Sequence, residues 1–144
     1  ADFVAPVARS RGVHVELEAD DEVVASIDPD GIRQVLLNLL GNALDVTPRD
    51  GVVSLAVGEQ PGRAVVTITD DGPGVPAAER ERIFEAFYST RTDGTGLGLA
   101  VAERIVLDHD GRIRVDGIAG RGAQFRIELP CEDTRTDQTE EHEP

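Results

Sequence analysis

The stretch Asp28-Pro29-Asp30-Gly31-Ile32-Arg33-Gln34-Val35-Leu36-Leu37-Asn38-Leu39-Leu40-Gly41-Asn42-Ala43-Leu44-Asp45-Val46 carries the spacing that decides the fold class. Asp28 offers an acceptor for unpaired amides and Pro29 lacks an amide to leave unpaired, so together they start a helix ahead of the apolar pattern from Ile32 to Val46. At ~100° per residue, Ile32, Val35, Leu36, Leu39, Leu40 and Ala43 form one apolar arc, with Gln34, Asn38, Asn42 and Asp45 together beside it. The polar group has two readings. It is a solvated flank, or, because Asn is a poor helix former with little reason to recur one turn apart beside a carboxylate, it supplies hard oxygen ligands suited to Mg²⁺.

Outward from this helix the chain reads mostly as strands. Before it, Val13 to Glu18 alternates apolar with polar and predicts a half-buried strand, and Val23 to Ile27 reads as a second, so that two strands open the domain. After it, Val52 to Val57 and Ala64 to Thr69 predict an antiparallel pair joined by Gly58-Glu59-Gln60-Pro61-Gly62. Asp70 to Pro76 is a loop, Ala77 to Phe87 a short helix, Tyr88 to Gly94 irregular and Thr95 to Leu107 a helix closed by His109-Asp110-Gly111. Arg112 to Asp116 and Ala123 to Leu129 finish as strands. This order predicts a two-layer α/β sandwich with helices on one face of a mixed, mostly antiparallel sheet.

The chain of 144 residues and 15.4 kDa suits one core, expected over residues 1–130. Residues 131–144 hold six acids, one Arg and almost no apolar side chain, so they are expected to be a disordered tail. All 14 basic residues are Arg, which excludes a Walker-type lysine, a Schiff-base lysine and a pyridoxal site. With 28 acids the formal charge is -14, unsuited to a nucleic-acid partner. Cys131 is the only cysteine, which leaves a reducing cytosol as the default. No stretch approaches the ~20 apolar residues that span a bilayer. The chain lacks Met altogether and is expected to be a piece of something longer.

Two further stretches bear on chemistry. Val65-Val66-Thr67-Ile68-Thr69 runs into Asp70-Asp71-Gly72-Pro73-Gly74, which is an ordinary turn or a carboxylate at a strand end followed by glycines that admit a flat ligand. Gly94-Thr95-Gly96-Leu97-Gly98-Leu99-Ala100 opens a helix whose spare amides suit phosphate without a lysine, while its alternating glycines do not follow the dinucleotide pattern GxGxxG.

Order and spacing together are the specific signal: paired Asn on a helix, Asp-x-Gly-x-Gly about 28 residues later, and a glycine-rich helix start about 20 further on. From about Val13 to Pro130 the chain resembles the catalytic and ATP-binding domain of sensor histidine kinases, in the superfamily shared with DNA gyrase, Hsp90 and MutL. Gln34 to Ala43 resembles the asparagine box, Asp70 to Gly74 the first glycine box, Ile83-Phe84-Glu85-Ala86-Phe87-Tyr88-Ser89-Thr90 the phenylalanine box, and Gly94 to Leu99 the second glycine box. Gly122 to Pro130 is similar to the family's closing strand.

The resemblance implies the Bergerat ATP-binding fold, with ATP and Mg²⁺ as cofactors. It implies that Asn42 ligates Mg²⁺ with support from Asn38, and that Asp70 accepts a hydrogen bond from the adenine amine. Gly72, Gly74 and Val75 then shape the adenine slot, and Thr95, Gly96, Leu97, Gly98 and Leu99 meet the phosphates. Between Val75 and Gly94 lies a short lid of the nitrogen-regulatory type, with Phe87 and Thr90 on the nucleotide and Arg91 on a phosphate. Asp45 belongs to the same nucleotide-side set, although an acid there questions a phosphate contact. By the same resemblance Asn38, Asn42 and Arg91 carry catalysis of γ-phosphoryl transfer to a histidine on a dimerisation and histidine-phosphotransfer domain upstream of Ala1. A response-regulator receiver acts downstream, and the parent is a cytoplasmic or membrane-attached homodimer. The alternatives are an ATPase of the superfamily, disfavoured because an amide, Asn38, stands where those enzymes place a general-base Glu, a serine kinase of the anti-sigma-factor type, and a degenerate nucleotide-binding module.

Overall fold

A computed structural model gives the structure of residues 5–19, 28–85, 98–117 and 122–130. The expected strand over Val23 to Ile27, the segment from Ala86 to Leu97 and the tail 131–144 lie outside these described residues. The element order is α1 (Ala5–Arg11), β1 (His14–Ala19), α2 (Pro29–Val46), β2 (Val52–Gln60), β3 (Arg63–Thr69), two 3-10 turns (Ala77–Glu79 and Arg82–Phe84), α3 (Gly98–Asp108), β4 (Arg112–Gly117) and β5 (Ala123–Pro130). The strands form one sheet in the order β1-β2-β3-β5-β4, with β1 parallel to β2 and every other neighbour antiparallel. Helix α2 is the crossover that a parallel pair needs.

Helix α2 begins and ends where its sequence dictates. The Asp28 side chain accepts from the Asp30 amide at 3.3 Å, Pro29 follows, and at the far end the Thr47 hydroxyl donates to the Ala43 carbonyl at 2.8 Å before Pro48. Its apolar stripe buries Val35, Leu39, Leu40, Ala43 and Leu44 against one core shared with Ala102 and Val106 of α3. The sheet answers with rows fixed by register, such as Leu55, Ile68, Phe125 and Val115 across four strands. Phe84, on the second 3-10 turn, closes one end of the core with its ring 6.2 Å from that of Phe125.

The expectations differ from the structure at four places. A helix, α1, precedes the first strand; at seven residues it is too short to show a stripe, and its signal is Gly12, whose φ of 69° lets the chain turn back so that the Val13 amide reaches the Ala8 carbonyl. Strand β1 is exposed throughout instead of half-buried. Among the described strands it lies at the sheet edge, α2 and α3 pack over β2, β3 and β4, and Val15 and Leu17 on the helix side remain 37% and 60% exposed. Residues expected as one short helix after Pro76 form two separate 3-10 turns. The β2–β3 pairing continues to Gln60 and Arg63, so the hairpin turn is Pro61-Gly62 alone.

The sheet face away from the helices is charged. On it Glu128 of β5 accepts from Arg63 of β3 at 2.5 Å and from Arg126 at 3.0 Å. The hydrogen bond from Arg126, then that from Arg63, hold the Glu128 carboxyl below its ordinary value of 4.5. A lowered acid stabilises the fold fully above the unfolded value and loses that contribution as pH falls through the folded one. Glu128→Gln should therefore lower stability in urea at pH 7, and its deficit relative to wild type should shrink steadily below pH 4.5. A deficit that stays constant down to about pH 3 would show that the ion pairs do not set it.

Candidate functional site

Helix α2 is the wall common to the site. The expected polar face exists, with Asn38 and Asn42 half-buried and Asp45 exposed. The three side chains have different partners. Asn38 accepts at Oδ1 from Gln34 Nε2 at 2.7 Å and donates through Nδ2 to the Gly98 carbonyl at 2.9 Å, so it joins α2 to the start of α3. Asn42 makes no side-chain hydrogen bond with another described residue. Asp45 pairs with Arg11 at the end of α1, so part of its charge is directed to the N-terminal helix.

The two acids at the end of β3 divide their work. Asp70 is 5% exposed, and its Oδ1 accepts from the Gly72 amide at 2.8 Å and the Ala123 amide at 3.1 Å. Its own amide and carbonyl pair with the Ala123 carbonyl and the Gly122 amide, so the carboxylate is seated by the first turn of β5. Asp71 turns the other way and accepts from the Val52 amide at 2.7 Å, fixing the start of β2. Asp70 is thus held against β5 and Asp71 against β2.

Close backbone approach explains the glycines. A Cβ on Gly72 would stand 2.7 Å from the Val46 carbonyl, so a side chain there would push the loop off the end of α2. Gly74 adopts φ 82°, a conformation L side chains rarely take. Val75 is half-buried, and its carbonyl accepts from Arg80 Nε at 3.1 Å, which ties the loop to the first 3-10 turn. Gly98 and Leu99 open α3, with a Cβ on Gly98 only 4.0 Å from Asn38. Phe87, Thr90, Arg91, Thr95, Gly96 and Leu97 lie outside the described residues.

Two contributors were not singled out from the sequence. Gly122 sits so close to the Asp70 loop that a Cβ would lie 2.6 Å from the Gly72 amide and 2.7 Å from its carbonyl. The signal was a glycine directly before the last strand. His109 accepts at Nε2 from the Asp28 amide at 3.0 Å while Nδ1 lies 2.8 Å from the Ile105 carbonyl, so it joins the end of α3 to the start of α2. With Asn38 on Gly98, α3 is tied to α2 at both ends.

The donor set bears on what can bind. Among the described residues no group of three His, Cys, Asp or Glu could hold a metal by itself. Mg²⁺ does not need one, because it keeps several waters and binds through one or two protein oxygens plus substrate phosphates. The amide oxygen of Asn42 on α2 would suit that habit.

A buried acid at a strand end is followed by a glycine loop pressed on the end of the helix that carries two amides, and a second helix is hydrogen-bonded to that same helix. The chain belongs to the histidine kinase-, DNA gyrase B- and HSP90-like ATPase family, whose pattern it matches over residues 27–133. Within that family it is a catalytic ATP-binding domain of the sensor histidine kinase kind. It is 38% identical to the sensor histidine kinase ZraS of Escherichia coli O157:H7 over 136 residues, which is 94% of this chain and 30% of that protein. It is 36% identical to sporulation kinase C of Bacillus subtilis over 72% of this chain and 24% of that one. The chain therefore spans about a third or less of the curated relatives it matches. The solved mycobacterial sensor histidine kinase MprB superposes with a TM-score of 0.80 at 34% identity, covering 90% of this chain and 89% of that one. Full-length ShkA, solved in complex with AMPPNP, gives 0.78 at 37% identity over 90% of this chain and 28% of that chain. The described residues include no helix long and apolar enough to cross a membrane.

Proposed function

We propose that the chain binds Mg·ATP and transfers its γ-phosphoryl group to a histidine on a helical dimerisation domain outside residues 1–144 of this sequence. The observation that carries this reading is the buried Asp70 carboxylate, oriented by two backbone amides beside a glycine loop that packs on the Asn-bearing helix. Asp70 accepts from the adenine amine, and guanine presents a carbonyl there. Gly72, Gly74 and Val75 shape the slot, and Gly98 and Leu99 stand where α3 turns its free amides towards the phosphates. Asn42 offers its amide oxygen to Mg²⁺, which when bound offsets charge on the transferring phosphoryl. Arg91, Thr95, Gly96 and Leu97 complete the phosphate contacts, and Phe87 and Thr90 belong to a lid that limits water.

Neither described histidine sits on a helical hairpin: His14 lies on strand β1, and His109 follows α3 with both ring nitrogens engaged, while His142 lies outside the described residues. Transfer also fits better than self-contained hydrolysis, because Asn38 spends its amide on Gly98 and cannot take a proton from water. The phosphorylated histidine then serves a response-regulator receiver, in a homodimeric parent whose catalytic part works in the cytoplasm.

Calorimetry with ATP and Mg²⁺ tests the binding step. Tight Mg-dependent binding is expected, Asn42→Asp should impair that binding or the transfer, and labelled ATP should leave the isolated chain unmarked while marking an added His-bearing helical hairpin with acid-labile phosphate. Strong labelling of this chain by itself would overturn the external acceptor.

A further inference from the structure

We infer that Gln34 is a positioning residue that, through Asn38, holds the Gly98 end of α3 in place and so aims its amides at the phosphates; this rests on the nucleotide site proposed above. The observation is a chain of two hydrogen bonds that crosses between helices. Gln34 Nε2 donates to Asn38 Oδ1 at 2.7 Å one turn along α2, and Asn38 Nδ2 donates to the Gly98 carbonyl at 2.9 Å, 60 residues away in sequence.

The polarity of this chain is fixed by its one member that cannot rotate. Gly98 presents a backbone carbonyl, so Asn38 must turn its NH₂ to α3 and its oxygen to Gln34, and Gln34 must answer with its own NH₂. Without that donor the Asn38 oxygen loses its partner and the side chain regains its rotamers. The Gly98 carbonyl is then held only part of the time. Gly98 is the first described residue of α3, so a displacement there moves the turn that follows it. Asn38 is thereby drawn away from metal ligation and towards alignment of the phosphate side. Gln34 is exposed, so the fold does not depend on it.

Phosphates supply the discriminating readout. Gln34→Ala should weaken ATP and ADP about three- to tenfold, the range expected for one net hydrogen bond. Adenosine, which engages only the Asp70 slot, should bind as to wild type, and the ATP deficit should be the same with Mg²⁺ and with EDTA. Gln34→Glu, which replaces the donor by acceptors, should lose at least as much. The double variant Gln34→Ala/Asn38→Ala should bind ATP no worse than Asn38→Ala alone, because the two act in series.

Equal losses for adenosine and ATP, a deficit confined to Mg²⁺, or additive losses in the double variant would each overturn the inference. Should Gln34→Ala bind ATP as wild type does, the inference fails and the nucleotide site stands. Should wild type bind neither adenosine nor ATP, the site reading itself has failed.

Discussion

Asp70→Asn should weaken ATP by roughly five- to a hundredfold and shift relative affinity towards GTP, with the domain still folded. The amide keeps one oxygen to accept from Gly72 and Ala123, so the loop retains its anchor. The other position becomes an NH₂, which meets the adenine amine donor against donor but can donate to the carbonyl of guanine. Leaving a buried donor unpaired costs about 1–3 kcal/mol, which is the range given. Calorimetry with ATP, GTP and adenosine on both proteins reads the result directly. An unchanged ATP affinity would remove Asp70 from adenine recognition.

The second large effect concerns stability. Leu39 is 2% exposed and belongs to the core that α2 shares with α3 and the sheet, so Leu39→Ala should cost about 2–5 kcal/mol through lost burial and a cavity between close-packed helices. That is a large share of the 5–15 kcal/mol typical of a domain, and a fall in melting temperature of roughly 10 °C or more is expected by circular dichroism. Because Asn38 and Asn42 ride on the same helix, saturating Mg·ATP should restore part of the loss. A melting temperature within about 2 °C of wild type would mean the site relaxes around the smaller side chain.

What could be read from sequence followed from local physics. The apolar stripe and the Asp28-Pro29 start located α2, alternation located β3 and β5, and the resemblance supplied roles for Asn42 and Asp70. Elements without a periodic signature were missed, as with the seven residues of α1. Alternation in β1 says that its two faces differ, yet cannot say that the strand lies at the edge of the described sheet, beyond the strands on which α2 and α3 mainly pack. Partnerships between distant residues were equally invisible. Nothing in Gln34-Val35-Leu36-Leu37-Asn38 reveals that Asn38 ends on Gly98, nor does Asp45 announce Arg11.

The seat of Asp70 also constrains how the protein can be made. One of its two anchoring amides belongs to Ala123, 53 residues later in the chain, and β3 cannot lie between its two neighbours until β5 arrives. A ribosome releasing the polypeptide from its N-terminus therefore exposes the asparagine helix and the acid well before the proposed purine slot can exist. Nucleotide cannot template the early fold. It can only reward a chain whose final strand has already emerged.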